Sequence, residues 1–103
     1  QLYLNVIRQT HEGLIAQGVT PDFVIAFRGM SVTLVTAAAS PELRAQISNI
    51  KMLSNVRLEA CSVATGIFGV VNATVLPEII VVGNTFISSI GYQAKGYAPI
   101  LIQ

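Results

Sequence analysis

The sequence predicts an α/β domain with three layers, α/β/α, in which helices cover both sides of a mostly parallel sheet of four to five strands. Two largely apolar runs, at 23–27 and 78–82, lack alternation, which is typical of strands buried on both faces. Helical segments fall between the predicted strands, and this alternation favours a parallel sheet. The length of 103 residues fits a single domain over 1–103.

The predicted elements follow one another in regular order. Strands are expected over 23–27, 56–61, 78–82 and 97–102, and helices over 2–17, 32–35, 41–53, 62–70 and 85–95. Ser40 and Asn84 are residues that cap helix N-termini, and Pro41 suits a first helical position. Because such folds usually open with a strand and this chain opens with a helix, we expect the first strand to precede residue 1 or the sheet to be smaller.

Two of these helices carry an apolar stripe. In the opening helix the stripe includes His11, which we interpret as a packed structural histidine because the sequence has no second histidine and no carboxylate cluster beside it. In the last helix the stripe should face the sheet and consists of Phe86, Ile87, Ile90 and Ala94.

Composition limits the classes of function. Hydrophobic residues make up 52% of the chain and charged residues only 11%, so part of the surface is expected to be buried in a homo-oligomer. A net charge of +1 without a basic stripe argues against a nucleic-acid partner. No apolar window reaches the roughly 18 residues of a membrane span. One cysteine and one histidine exclude an internal disulfide, a cysteine-cluster zinc site and a histidine-rich metal site, and no cofactor motif is present.

The strand at 56–61 ends on Cys61, the only cysteine of the chain. Along this strand Arg57, Glu59 and Cys61 share one face, which is too polar for an ordinary core layer. We therefore expect that face to be partly solvated and the thiol to be accessible. A helical turn follows the cysteine, and the unpaired N–H groups at a helix N-terminus lower the pKa of a thiol. The competing interpretation is a small buried hydrophobe at a strand end.

A ligand pocket is the second functional hypothesis for the same edge of the sheet. The residues expected to line it follow the predicted strands and are Arg28, Gly29, Ser31, Ser62, Gly83 and Asn84. Arg28 could hold an anion or lower the pKa of a nearby thiol. These residues predict a module that binds a nucleotide or another anion without covalent chemistry. A structural subunit whose apolar surface serves assembly is the third hypothesis.

The order of several short motifs resembles the DsrE/DsrF-like family of small sulfur-handling proteins. The resemblance covers nearly the whole chain and is carried by Leu4-Asn5-Val6-Ile7-Arg8, Arg28-Gly29, Ala60-Cys61-Ser62, Val81-Val82 and Gln93-Ala94-Lys95-Gly96-Tyr97-Ala98-Pro99-Ile100.

The family resemblance implies a parallel α/β/α domain assembled as a homotrimer or hexamer. It also implies a role for Cys61 as a carrier of sulfane sulfur in the form of a persulfide, without a cofactor, with other sulfur-relay proteins as possible partners. The expected compartment is the cytoplasm. The periplasm is the alternative, because the sequence begins at Gln1 without a methionine.

Overall fold

The computed structural model describes residues 4–100, which form a compact α/β domain with helices on both sides of a parallel sheet. The helices and strands are α1 (Leu4–Ala16), β1 (Phe23–Phe27), α2 (Pro41–Lys51), β2 (Val56–Cys61), α3 (Ser62–Ile67), β3 (Ile80–Val82) and α4 (Thr85–Ala94). Two 3₁₀ helices, Gly29–Leu34 and Asn72–Thr74, lie in the connections. Within residues 4–100, no helix is both long enough and apolar enough to cross a membrane.

The sheet has three parallel strands over the described residues, in the order β1-β2-β3. In its register Phe27 lies beside Ala60, and Cys61 lies beside Val82. The predicted sheet of four to five strands is therefore not confirmed. Residues 97–100 are not in a strand, so the strand predicted over 97–102 is wrong for that part, and residues 101 and 102 lie outside the described residues. Pro99 lacks the N–H group that a ladder bond would need.

The predicted helix starts are confirmed where a side chain caps the helix. The Ser40 hydroxyl accepts a hydrogen bond from the Leu43 N–H at 3.2 Å, and Pro41 opens α2. The Asn84 side chain accepts one from the Phe86 N–H at 2.9 Å at the start of α4. These bonds satisfy N–H groups that have no partner within the helix, which is why both helices begin at the predicted positions.

The central strand β2 presents an apolar face to helix α2. Val56, Leu58 and Ala60 lie on this face and belong to the same buried core as Ile47 and Ile50 of α2. Burying each of these isoleucine side chains contributes about 1.5–3 kcal/mol to stability. This side of the sheet is therefore an ordinary hydrophobic core.

His11 joins α1 to this core as a structural side chain. It is 2% exposed, its Nε2 lies 2.8 Å from the Ser54 carbonyl oxygen, and its ring stands edge-on to Phe23 at 5.4 Å. Its Nδ1 is buried and has no hydrogen-bond partner among residues 4–100. The packing predicted for His11 is confirmed, although only one of its ring nitrogens is bonded.

Helix α4 lies on the opposite face of β2 and is turned the other way from the prediction. Phe86, Ile87 and Ile90 are between 62% and 71% exposed, and Ala94 is also exposed. Thr85, the first residue of the helix, is fully buried instead. The expectation that the apolar stripe of this helix faces the sheet is therefore wrong.

The reason lies in the strand that α4 covers. This face of β2 carries Arg57, Glu59 and Cys61, and buried polar groups need hydrogen-bond partners. An apolar helix face offers none. The face of α4 that carries hydroxyl groups turns inward instead, where Tyr92 donates to Glu59 and Thr85 is buried, and the apolar face consequently points outward.

Candidate functional site

Cys61 ends the central strand, at the edge of the sheet where the carboxyl ends of all three parallel strands meet. Its side chain is only 3% exposed, and Glu59 on the same face is 1% exposed. The prediction that this face is partly solvated and the thiol accessible is therefore wrong for these two residues, and only Arg57 is exposed. Helix α4 covers the face and accounts for the burial.

Hydrogen-bond donors from two helices surround the Cys61 sulfur. Burial raises the pKa of the thiol, but the neighbouring N–H groups of Thr85, Ala64 and Val63 and the nearby Thr85 hydroxyl lower it more, so that the net pKa lies below the ordinary value. Ala64 and Val63 belong to α3, which begins directly after the cysteine, and Thr85 begins α4. The site thus favours the thiolate in spite of its burial.

The Thr85 hydroxyl is the donor that stands out at this site. Thr85 is 0% exposed, and its Oγ1 forms no hydrogen bond with any group of residues 4–100, the Cys61 sulfur included. A buried hydroxyl without a partner costs about 1–3 kcal/mol. The hydroxyl lies near the Cys61 sulfur and is one of the groups that lower the pKa of the thiol.

A buried carboxylate lies two residues before the cysteine on the same strand face. Oε2 of Glu59 accepts hydrogen bonds from Nε of Arg57 at 2.7 Å and from the Tyr92 hydroxyl at 2.8 Å. The bond to Glu59, together with burial, raises the pKa of the Tyr92 phenol, and Glu59 also raises the pKa of the Arg57 guanidinium. Oε1 of Glu59 is buried and has no partner among the described residues.

The predicted pocket residues after β1 are committed to local contacts. The Ser31 hydroxyl donates to the Arg28 carbonyl oxygen at 2.7 Å, at the start of the 3₁₀ helix Gly29–Leu34. Gly29 has φ of +60°, a left-handed conformation that glycine adopts without strain. The Arg28 guanidinium lies 4.7 Å from the centre of the Phe86 ring. The side chain predicted to hold an anion or acidify the thiol thus stacks on an aromatic ring of α4.

The predicted pocket residues after β2 and β3 lie at the same edge of the sheet. Ser62 begins α3, and its carbonyl oxygen accepts a hydrogen bond from the Thr65 hydroxyl at 3.0 Å. Gly83 is exposed, and the Asn84 side chain is engaged as the cap of α4. The structure therefore gathers the predicted residues at one edge, but it engages the Ser31 and Asn84 side chains within the fold.

The sequence interpretation missed Thr85 and Tyr92 as site residues. The signal was present, because Thr85, Ser88, Ser89 and Tyr92 recur at helical spacing and give α4 a stripe of hydroxyl groups. The apolar stripe on the other side of the helix was taken for the inner face. The hydroxyl stripe can be recognised as the inner face of α4 only when it is matched to the polar face of β2.

Comparison with known proteins supports the fold and adds nothing on activity. No family model matches the chain, and no curated protein matches it either. Among solved structures it is similar to a protein of unknown function from Methanobacterium thermoautotrophicum, with a TM-score of 0.77 and 20% sequence identity. The similarity covers 94% of this chain and 85% of the other. At this identity the likeness establishes the α/β fold alone.

Proposed function

We propose that the protein is a sulfur-trafficking protein that carries sulfane sulfur as a persulfide on Cys61. The observation that carries the proposal is a buried thiol at the start of α3 whose pKa is lowered by neighbouring groups of α3 and α4. A sulfur carrier needs the thiolate, because the thiolate is the nucleophile in exchange at sulfur. The resemblance to the DsrE/DsrF-like family is a second support.

The proposed step conserves atoms and electrons. The Cys61 thiolate attacks the terminal sulfur of a donor persulfide, R–S–SH, and forms the new S–S bond with its own electron pair. The S–S bond of the donor breaks, and its electron pair leaves with the thiolate R–S⁻. The product is a Cys61 persulfide, and no external oxidant or reductant takes part. Burial of Cys61 at 3% exposure would shelter this product from reductants in solution.

The carrier is proposed to act as a homo-oligomer, a trimer or hexamer as the family resemblance implies, in the cytoplasm, with other sulfur-relay proteins as partners. The exposed apolar face of α4, at Phe86, Ile87 and Ile90, supports assembly, because isolated soluble domains rarely leave such surface uncovered. The sheet of four to five strands predicted from the sequence remains part of the proposal. Mass measurement under native conditions tests the assembly, and a monodisperse monomer would contradict it.

Mass spectrometry after incubation with inorganic polysulfide tests the chemistry. Cys61 is the only cysteine, so a mass increase of one sulfur atom that is reversed by a reductant assigns the persulfide without ambiguity. Cys61→Ser should gain no mass. A native protein that stays unmodified while its unfolded form reacts would contradict the proposal and leave Cys61 as a core residue.

The alternatives are an anion-binding or nucleotide-binding module and a structural assembly subunit. An anion site would have to release the Asn84 side chain from its cap and the Arg28 guanidinium from the Phe86 ring. A thermal-shift comparison with phosphate and nucleotides separates the cases. Equal stabilisation of wild type and Cys61→Ser by such a ligand would favour the binding module.

A further inference from the structure

Helix α4 has little apolar contact to hold it against the sheet. Its large apolar side chains, Phe86, Ile87 and Ile90, are at least 62% exposed, and Thr85 is its one buried residue. A surface helix is normally fixed by burying its apolar stripe. The position of α4 on β2 must therefore depend on specific polar contacts.

Two such contacts lie along the inner side of the helix. Thr85 is buried next to Cys61, because it follows by three residues Val82, the strand partner of Cys61, and Tyr92 donates to Glu59 at 2.8 Å. Thr85 and Tyr92 are seven residues apart, close to two helical turns, so their side chains share one face. Cys61 and Glu59 are two residues apart on one strand face, so the two contacts run side by side across the helix–sheet interface.

Of the two contacts, the one between Tyr92 and Glu59 is held in the more fixed position. Glu59 lies in the central strand, in register with Ala26 and Ile80, and is 1% exposed. The Arg57 guanidinium, at 2.7 Å, orients the carboxylate that Tyr92 contacts. A hydrogen bond to a buried carboxylate is directional and stronger than a bond between neutral groups, so it sets both the rotation and the axial position of α4.

We propose that Glu59 and Tyr92 are positioning residues that hold the N-terminus of α4 against Cys61. Tyr92 fixes the rotation of the helix through its bond to Glu59, and this rotation keeps the buried Thr85, at the start of the helix, beside the strand end that carries Cys61. The inference deepens the proposed function, since it concerns the same thiol. It does not require that the thiol carry sulfur.

The charged and titratable groups around Cys61 determine in which direction each substitution shifts the pKa of the thiol. Glu59 and Arg57 share its strand face, Tyr92 faces it from α4, and Arg28 follows the neighbouring strand. α3 contributes no charged side chain. Removing the negative charge of Glu59 can only make the thiol more acidic by direct electrostatics. Loss of positioning makes it less acidic, so the two effects have opposite signs.

The pH profile of Cys61 alkylation by iodoacetamide is the experiment. Tyr92→Phe should raise the midpoint by about half a unit or more, because the helix loses its fixed contact while the carboxylate stays. Glu59→Gln keeps an acceptor for the Tyr92 hydroxyl and should leave the midpoint unchanged or lower it. Tyr97→Phe is the matched control, since the Tyr97 hydroxyl donates to Asp22 at 2.8 Å at an exposed site.

Each outcome decides the inference. A midpoint for Tyr92→Phe equal to those of wild type and Tyr97→Phe would overturn it. A rise of the midpoint for Glu59→Gln would support it, because loss of the charge alone can only lower the midpoint and a rise would show that the weaker bond to the neutral amide no longer holds the helix. If the midpoints follow the expected pattern while polysulfide adds no sulfur to Cys61, positioning stands and the sulfur-carrier proposal fails. If polysulfide adds sulfur to Cys61 but the alkylation midpoints do not move, the sulfur-carrier proposal stands and the positioning inference fails.

Discussion

Replacing Thr85 with valine should stabilise the protein at low pH and make its thiol less acidic. The substitution keeps the branched shape and removes a buried hydroxyl that has no partner among residues 4–100. A buried hydroxyl in this state costs about 1–3 kcal/mol, so the free energy of unfolding should increase by about that amount while Cys61 is neutral. At the same time the thiolate loses one donor.

The size of the second effect follows from the strength of a hydrogen bond to a charged group. Such a bond contributes about 1.5–3 kcal/mol, and one pKa unit corresponds to about 1.36 kcal/mol, so the alkylation midpoint should rise by about one unit or more. Cys61 is 3% exposed, so solvent screens this bond little. The midpoint is measured from iodoacetamide rates across pH.

The pH dependence of the free energy of unfolding checks independently whether the Thr85 hydroxyl lowers the pKa of Cys61. The pKa of Cys61 is lower in the folded protein than its ordinary value, so its contribution to stability is complete above about pH 8.5 and is lost as pH falls through the folded-state pKa. Thr85→Val shrinks this contribution. Its stability advantage over wild type in urea unfolding should therefore be largest at low pH and diminish as pH rises.

A control and a refuting result complete the design. Thr33→Val removes an exposed threonine hydroxyl that donates to the Met30 carbonyl oxygen, and it should change neither the midpoint nor the pH dependence. The reasoning fails if Thr85→Val is destabilising at low pH and leaves the alkylation midpoint in place. That result would mean that the Thr85 hydroxyl does not face the sulfur.

Two further predictions concern access to the thiol and the apolar side of the sheet. Arg28→Ala removes the stacking on Phe86, which connects the residue after β1 to the first turn of α4, the helix that covers Cys61. Since such a contact contributes about 0.5–1 kcal/mol, alkylation well above the midpoint should accelerate about two- to fivefold, and an unchanged rate would contradict this. His11→Ala removes the bond to Ser54 and a buried ring, so the free energy of unfolding measured in urea should fall by about 2–4 kcal/mol. The alkylation midpoint should not shift. A decrease in the free energy of unfolding below about 1 kcal/mol would contradict the structural role.

The elements that the sequence predicted well are those with a local cause. Strand β1 occupies the predicted 23–27, β2 the predicted 56–61, and the caps at Ser40 and Asn84 are in place. Continuous apolar runs and capping side chains act over a few residues and need no tertiary context. The predicted strand 78–82 is shorter, Ile80–Val82, since Ile79 and the residues before it lie in the connecting turn.

The features that could not be predicted depend on which surfaces meet. The exposure of Cys61 and the inner face of α4 were both predicted wrongly, and they have one cause. Each amphipathic pattern was interpreted by itself, with the apolar side taken as the inner one. The polar face of β2 reverses that rule for the helix that covers it, and local patterns do not show which helix covers which face.

Glu59 explains why the less usual packing of α4 is the stable one. Burying a carboxylate costs several kcal/mol, and an apolar side chain of similar size is often neutral or stabilising by comparison. With leucine at position 59, however, the sheet would present an apolar surface to a helix whose Phe86, Ile87 and Ile90 side could bury itself there. Apolar contact has no preferred direction, so it would not hold Thr85 in its position next to the Cys61 sulfur. The Tyr92–Glu59 bond specifies which face of α4 turns inward, and the acidity of the Cys61 thiol depends on that orientation.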